Sequence, residues 1–179
     1  MLSIKSINAA GGVSKVAAYY EGYQLGKENP NAKETTNRQH DEPMGKWVGS
    51  YAEKRGFANE LVHRGEMQRG LRGFDPKTGE ALSNNAGDER HKPGYDLTFS
   101  APKSVSIAWA SAPDELRDKI GAAHQKALES AIKYAEQSGA FIQREGHEGE
   151  FKVAHGEIAA ATFEHSNNRA GEPHLHTHA

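Results

Sequence analysis

Cysteine is wholly absent from this 179-residue chain. Without thiols there is neither a disulfide framework nor a thiolate metal site. Imidazole and carboxylate are then the side chains left to hold an ion, a composition suited to a reducing cytoplasm. Long hydrophobic runs are missing too. No stretch approaches the roughly 18 consecutive apolar residues of a membrane span, and the opening Met1-Leu2-Ser3-Ile4-Lys5-Ser6 does not read as a signal peptide. No insertion into a membrane is expected. A surplus of either charge is also lacking: 22 Lys and Arg stand against 24 Asp and Glu, net −2. That balance argues against indiscriminate binding of polyanions and leaves room for a local basic patch. No internal repeat or low-complexity tract is found. What remains is ordinary globular material, 36% apolar with 19 glycines besides, long enough for one domain with a real core.

Local patterning outlines the elements. Leu2–Ile7 alternates apolar and polar residues and reads as a strand, ended by the Gly11-Gly12 break. Ser14 is placed to cap a short helix from Lys15 to about Glu21, with Tyr19 and Tyr20 in its last turn. Residues 26–41 are rich in Asn, Glu, Lys and Thr and read as a loop. Lys46–Phe57 and Asn59–Leu71 are expected as short helices, and 73–94 as a turn-rich excursion or hairpin. Tyr95–Ser100 reads as a strand, followed by an apolar run over Val105–Ala110. The clearest helix spans Pro113–Ser138. Asp114 and Glu115 fill its first turn, Gly139 follows its end, and Leu116, Ile120, Ala123, Ala127, Leu128, Ala131, Ile132 and Ala135 form one apolar stripe. Strand candidates follow at Ala140–Arg144, Glu150–Ala154, Gly156–His165 and His174–Ala179. Strands and helices mix without regular βαβ alternation. The expected class is therefore α+β, an antiparallel sheet covered by helices on one face.

Four of the ten histidines, His165, His174, His176 and His178, fall in the last fifteen residues. Side chains of a strand alternate with period two, so His174, His176 and His178 share a face. The same alternation within Glu157–His165 puts Ala159, Ala161, Phe163 and His165 together. If these two strands are neighbours, His165, His176 and His178 can meet on one ion at about 2.0–2.1 Å, leaving a coordination position open for catalysis. A purification tag or a solvated His-rich terminus is the competing account. A tag would be homopolymeric, and a solvated terminus needs no upstream histidine at strand spacing. His174 is the surplus member: exposed, an outer hydrogen bonder, or an alternative ligand.

The Tyr19-Tyr20 pair is open to two readings, core aromatics or a phenol nucleophile that holds a phosphoryl group covalently. With a pKa near 10, roughly one phenol in a thousand is ionised at pH 7, so a base or a cation must assist. Asp96 can orient an imidazole or accept that proton, or it can simply face water at a strand start. Lys103, after Ala101-Pro102, can contact a phosphate or be solvated. Trp47, Phe57 and Phe74 are available either to stack on bases or to fill the core.

Taken together, these residues resemble the conjugative relaxases of the TrwC/TraI (MobF) type, single-strand endonucleases of the HUH class. The similarity rests on Met1-Leu2-Ser3 with Ala17-Ala18-Tyr19-Tyr20-Glu21, on the block Asp96 to Ser106 (DLTFSAPKSVS), on Phe163-Glu164-His165, and on His174-Leu175-His176-Thr177-His178-Ala179. The resemblance implies a twisted antiparallel sheet flanked by helices, palm-like, in one relaxase catalytic domain over residues 1–179. It implies site- and strand-specific nicking and joining of single-stranded DNA at a plasmid transfer origin, in a bacterial cytoplasm. By the resemblance Tyr19 is the nucleophile, giving a 5′-phosphotyrosyl link, with Tyr20 beside it. Asp96 is the acid near the metal, and His165, His176 and His178 are the metal triad, holding Mg²⁺ or Mn²⁺ with Zn²⁺ or Ni²⁺ as alternatives. It also implies accessory relaxosome proteins and a type IV secretion coupling protein as partners.

Three departures from the family pattern matter, one being a charge balance unlike that of a strong DNA binder, so that single-strand recognition leans on base stacking and local contacts. The family's further tyrosine pair is missing; Tyr23 alone stands nearby to serve in DNA contact or second transfer, the alternative being a single effective nucleophile. The chain also stops one residue after His178, so the domain is expected to be cut short just past the H-x-H motif, with the site on a fraying edge strand. Two other functional classes compete with the relaxase: a metal-dependent hydrolase whose ion activates water, and a DNA-binding relaxase fragment without activity.

Overall fold

Five short segments pair into one antiparallel sheet, and their order decides where the histidines fall. In chain order the strands and helices are β1 (Leu2–Ser6), α1 (Gly12–Gln24), β2 (Lys46–Val48), α2 (Ser50–Arg55), α3 (Glu66–Leu71), β3 (Tyr95–Ser100), α4 (Lys103–Ser111), α5 (Asp114–Gln137), β4 (Gln143–Glu145), β5 (Phe151–Val153), β6 (Ala160–Asn167) and β7 (Pro173–His178). The computed structural model describes residues 1–8, 12–24, 44–141, 143–145, 150–153 and 156–179. The sheet runs β1-β3-β7-β6-β2, while β4 and β5 form a separate two-stranded ribbon. The expected loop over 26–41 lies outside the described residues. No described helix is long and apolar enough to cross a membrane.

Alternation along β7 divides the molecule into two packed faces. Thr177 points one way and meets His124 of α5, its Oγ1 3.1 Å from the imidazole Nε2. His178 points the other way and faces α1, its ring 5.4 Å from that of Tyr20. Helices therefore cover both faces, which corrects the expectation of a single covered face. On the α1 side the core joins Tyr20, Trp47, Phe57, Val62, Met67, Ala161 and Phe163. On the α5 side Leu128 and Ile132 pack against Val48 and Ala160. The α5 stripe is real only in its C-terminal half, since Leu128 and Ile132 are buried while Leu116 stays half exposed.

Two expected helices are corrected. Over 46–57, Trp47 and Val48 pair with Ala161 and Ala160 as β2, and α2 begins only at Ser50. Gly49 separates them at φ 102°, where a Cβ would stand 2.3 Å from the carbonyl oxygen of Ile158. Over 59–71, Asn59 (φ 65°) and Gly65 (φ 80°) break the helical path, leaving α3 alone. The run Val105–Ala110 is helical, within α4.

The final strand is not an edge. Between β3 and β6, β7 is paired on both sides, and Ala179 exchanges two 2.9 Å backbone hydrogen bonds with Leu97. The expectation of a fraying edge strand is thus overturned by topology.

Candidate active site

Antiparallel registry carries the histidines together. His165 of β6 lies directly opposite His176 of β7, and Phe163 opposite His178. Directly paired residues share a face, so all three imidazoles project toward α1. Their ring centres form a near-equilateral triangle: 5.2 Å from His165 to His176, 5.5 Å from His165 to His178, and 5.3 Å from His176 to His178. Three imidazoles bonded at about 2.1 Å to one tetrahedral ion would have centres about 5.3 Å apart. Among the described residues no group of three or more His, Cys, Asp or Glu side chains is arranged to hold a metal ion as it stands. The triangle of ring centres has the size that three imidazoles round one ion would give.

Two of the rings are held by their Nδ1 atoms. His176 Nδ1 lies 2.8 Å from the carbonyl oxygen of His174. Nδ1 of His178 lies 3.0 Å from Oδ1 of Asp96 and 3.3 Å from Oγ1 of Thr98. Carbonyl and carboxylate oxygens only accept, so each Nδ1 carries a proton, and in the neutral ring Nε2 is the nitrogen open to a ligand. Burial pushes the His176 imidazole down to about 4, and the neighbouring His165, His174 and His178 add to that. It is neutral at pH 7, as a ligand must be. The surplus His174 stacks on His176, centres 4.5 Å apart.

Helical period decides which tyrosine meets this cluster. Val13, Val16, Ala17 and Tyr20 fall at i, i+3, i+4 and i+7, and Val13, Ala17 and Tyr20 are all buried. The Tyr20 ring stacks on Phe163, 4.7 Å away at 15°, and its hydroxyl points to Asp96 Oδ2 at 3.5 Å, the outer limit of a hydrogen bond. Tyr19, one residue earlier, is 45% exposed and meets Tyr20 edge-on at 5.0 Å. Asp96 therefore bridges the phenol of Tyr20 and the imidazole of His178.

Other expected residues are placed elsewhere. Lys103 donates to Glu172 Oε2 at 3.0 Å and to the carbonyl of Pro173 at 3.3 Å, tying α4 to the turn that enters β7. Trp47 and Phe57 belong to the core, and Trp47 Nε1 donates to Glu66 at 2.9 Å. Phe74 is half-buried. The Tyr23 side chain lies outside the described residues. Thr98 and Ser106 were not anticipated. Thr98 could have been found two residues after Asp96, on the same strand face. Ser106 is fully buried in α4, and its Oγ accepts the backbone N–H of Leu175 at 3.1 Å, supporting the middle of β7.

With this arrangement established, similarity to known proteins is specific. Residues 13–179 match the family model described as TrwC relaxase. The multifunctional conjugation protein TraI of Escherichia coli K12 is 35% identical over 134 residues, which is 75% of this chain and 7% of that protein. A solved structure of the conjugative relaxase TrwC in complex with oriT DNA, in metal-bound form, superposes with a TM-score of 0.67 at 27% identity, covering 100% of this chain and 55% of that one. The copper-bound form of the same complex gives 0.65 at 28% identity. This chain thus spans about half the length of the solved relaxase and a small part of TraI. The match across nearly all of its length places the chain in the TrwC relaxase family.

Proposed function

We propose that this chain nicks and rejoins single-stranded DNA at a transfer origin, acting in the cytoplasm as the catalytic part of a relaxase. The observation that carries the reading is the meeting of Tyr20, Asp96 and three imidazoles on one sheet face, with Tyr19 edge-on against Tyr20. Tyr19 is the nucleophile in this reading. An attacking ring must swing onto a DNA strand and leave covalently attached to it, which suits the exposed Tyr19. Tyr20, stacked on Phe163, forms the wall beside it. The phenol oxygen bonds to phosphorus as the P–O3′ bond breaks, giving a free 3′-OH and a 5′-phosphotyrosyl link. Its proton passes toward Asp96 or water, and the departing 3′ oxygen takes a proton from water. One phosphodiester replaces another, so resealing needs no ATP.

His165, His176 and His178 would hold a divalent ion through their nitrogens. Such an ion would supply positive charge to offset the negative charge developing on the phosphate. An all-imidazole donor set suits first-row ions such as Mn²⁺, Ni²⁺, Cu²⁺ or Zn²⁺ better than Mg²⁺, which prefers oxygen ligands. Accessory proteins and a secretion coupling protein belong to the same reading as partners.

The test is a labelled single-stranded oligonucleotide spanning the cognate transfer origin, incubated with the protein and Mn²⁺ and resolved on a denaturing protein gel. Label should migrate with the polypeptide, disappear in Tyr19→Phe, and persist at reduced rate in Tyr20→Phe. Cleavage without an adduct, unaffected by Tyr19→Phe, would mean a hydrolase instead. Binding without cleavage under any metal would mean a DNA-binding module.

A further inference from the structure

We propose that Lys5 binds a DNA phosphate flanking the one that is cut, an inference that rests on the relaxase reading. The register of β1 on β3 sets Lys5 directly opposite Asp96 and Ser3 directly opposite Thr98. Asp96 and Thr98 both touch His178, so this face of β3 is the site face, and paired residues of β1 share it. Leu2 and Ile4 project to the other side, opposite Phe99 and Leu97. Lys5 is exposed, and among the described residues its side chain has no hydrogen-bond or ion-pair partner.

Charge makes this position matter. Among the described residues of the five strands, Lys5 is the one Lys or Arg that the register puts on the site face, since Lys46 pairs with Thr162 on the opposite face. Lys103 is already paired with Glu172. The chain as a whole is slightly acidic, so a polyanion at this face depends on local cations. Asp96 adds a negative charge there, and an ammonium across the strand pair offsets it as a phosphate approaches.

Distance selects a flanking phosphate. Between β1 and β7 lie two strand spacings of about 4.8 Å each. The four-carbon stem of lysine spans β3 without reaching the centre of the imidazole triangle. A strand whose cut phosphate sits over the triangle would run its neighbouring phosphate past Lys5. Contact with a phosphate that does not react is made equally in ground and transition states, so its loss raises KM and leaves kcat alone.

The experiment compares the wild-type chain with Lys5→Gln and Lys5→Arg. Equilibrium binding to the transfer-origin oligonucleotide is measured by fluorescence anisotropy without metal at several KCl concentrations, and steady-state nicking is measured with Mn²⁺. In Lys5→Gln the slope of log K against log salt should shallow by about 0.7, the contribution of one phosphate contact on a single strand. KM should rise about tenfold with kcat within twofold, and Lys5→Arg should recover both. Thermal midpoint and Mn²⁺ affinity should stay unchanged, which a structural role in the β1–β3 pair would not allow. An unaltered salt slope, or a fall in kcat at constant KM, overturns the proposal. The binding arm requires no cleavage. A shallower slope with no adduct in any variant would sink the relaxase reading and spare Lys5, while an adduct with unaltered slope does the reverse.

Discussion

Asp96 touches two partners of different chemistry, the Nδ1–H of His178 and the hydroxyl of Tyr20. It fixes the Nδ1–H tautomer of one ring and orients the hydroxyl of the other. Asp96→Ala should weaken Mn²⁺ binding by about 10–100-fold, the usual loss when a partner behind a ligating histidine is removed. Titration calorimetry on the variant reads this directly, and unchanged affinity would detach Asp96 from the metal site. Leu128, 1% exposed between α5 and the sheet, belongs to the opposite face. Leu128→Ala should cost about 2–5 kcal/mol in urea unfolding. A smaller loss would show that the back layer collapses around the gap.

At the scale of elements, the site depends on how β7 is held. Its partners β3 and β6 fix the backbone on both sides, and α4 supports it from the back face through Ser106. In Ser106→Ala the buried N–H of Leu175 loses its acceptor, at a cost of about 1–3 kcal/mol. Chemical denaturation should show the loss, and Ser106→Thr should restore part of it if the added methyl group fits. The β2–α2 junction depends on Gly49. Its positive φ and its approach to the Ile158 carbonyl leave no room for a Cβ. Gly49→Ala should therefore destabilise the fold by at least about 2 kcal/mol. Wild-type stability in that variant would mean that the β2–β6 pairing tolerates displacement.

At the scale of the whole molecule, Asp75 ties α2 to the turn at residues 75–78. Its carboxylate accepts the amides of Lys77 and Thr78, each at 2.8 Å, the Tyr51 hydroxyl at 2.7 Å and Arg55 Nε at 3.2 Å. Burial alone would raise its pKa. The amide of Thr78, the hydroxyl of Tyr51, the amide of Lys77 and the Arg55 guanidinium outweigh that and bring it down to about 2. The stabilisation is thus fully present above the ordinary aspartate value near 3.8 and is lost as pH falls through about 2. It amounts to about 2 kcal/mol. The urea midpoint should drop between pH 4 and pH 2, and Asp75→Asn should flatten much of that drop. A bound ion adds stability of a different kind. At a free concentration of about 100 times Kd it contributes about 2.7 kcal/mol, so Mn²⁺ should raise Tm by several degrees and EDTA reverse it. Triple replacement of His165, His176 and His178 by Ala should abolish the Mn²⁺ response.

Several features were legible before any coordinates. The period-two spacing of His174, His176 and His178, the DLTFSAPKSVS block and the long helix expected at 113–138 are local signals, and each corresponds to a strand or helix found in place. The i, i+3, i+4, i+7 stripe that turns Tyr20 inward was equally present in the sequence. Other features came only from the fold. Trp47 and Val48 carry helix-compatible neighbours, yet pairing with β6 overrides local propensity. The interior place of β7, the β6–β7 register that makes three imidazoles a triangle, and the seating of Lys5 across from Asp96 all join residues far apart in the chain. Side-chain alternation is written in each segment by itself. Which segments lie side by side is decided by packing both faces of the sheet at once, an energy that no single segment contains.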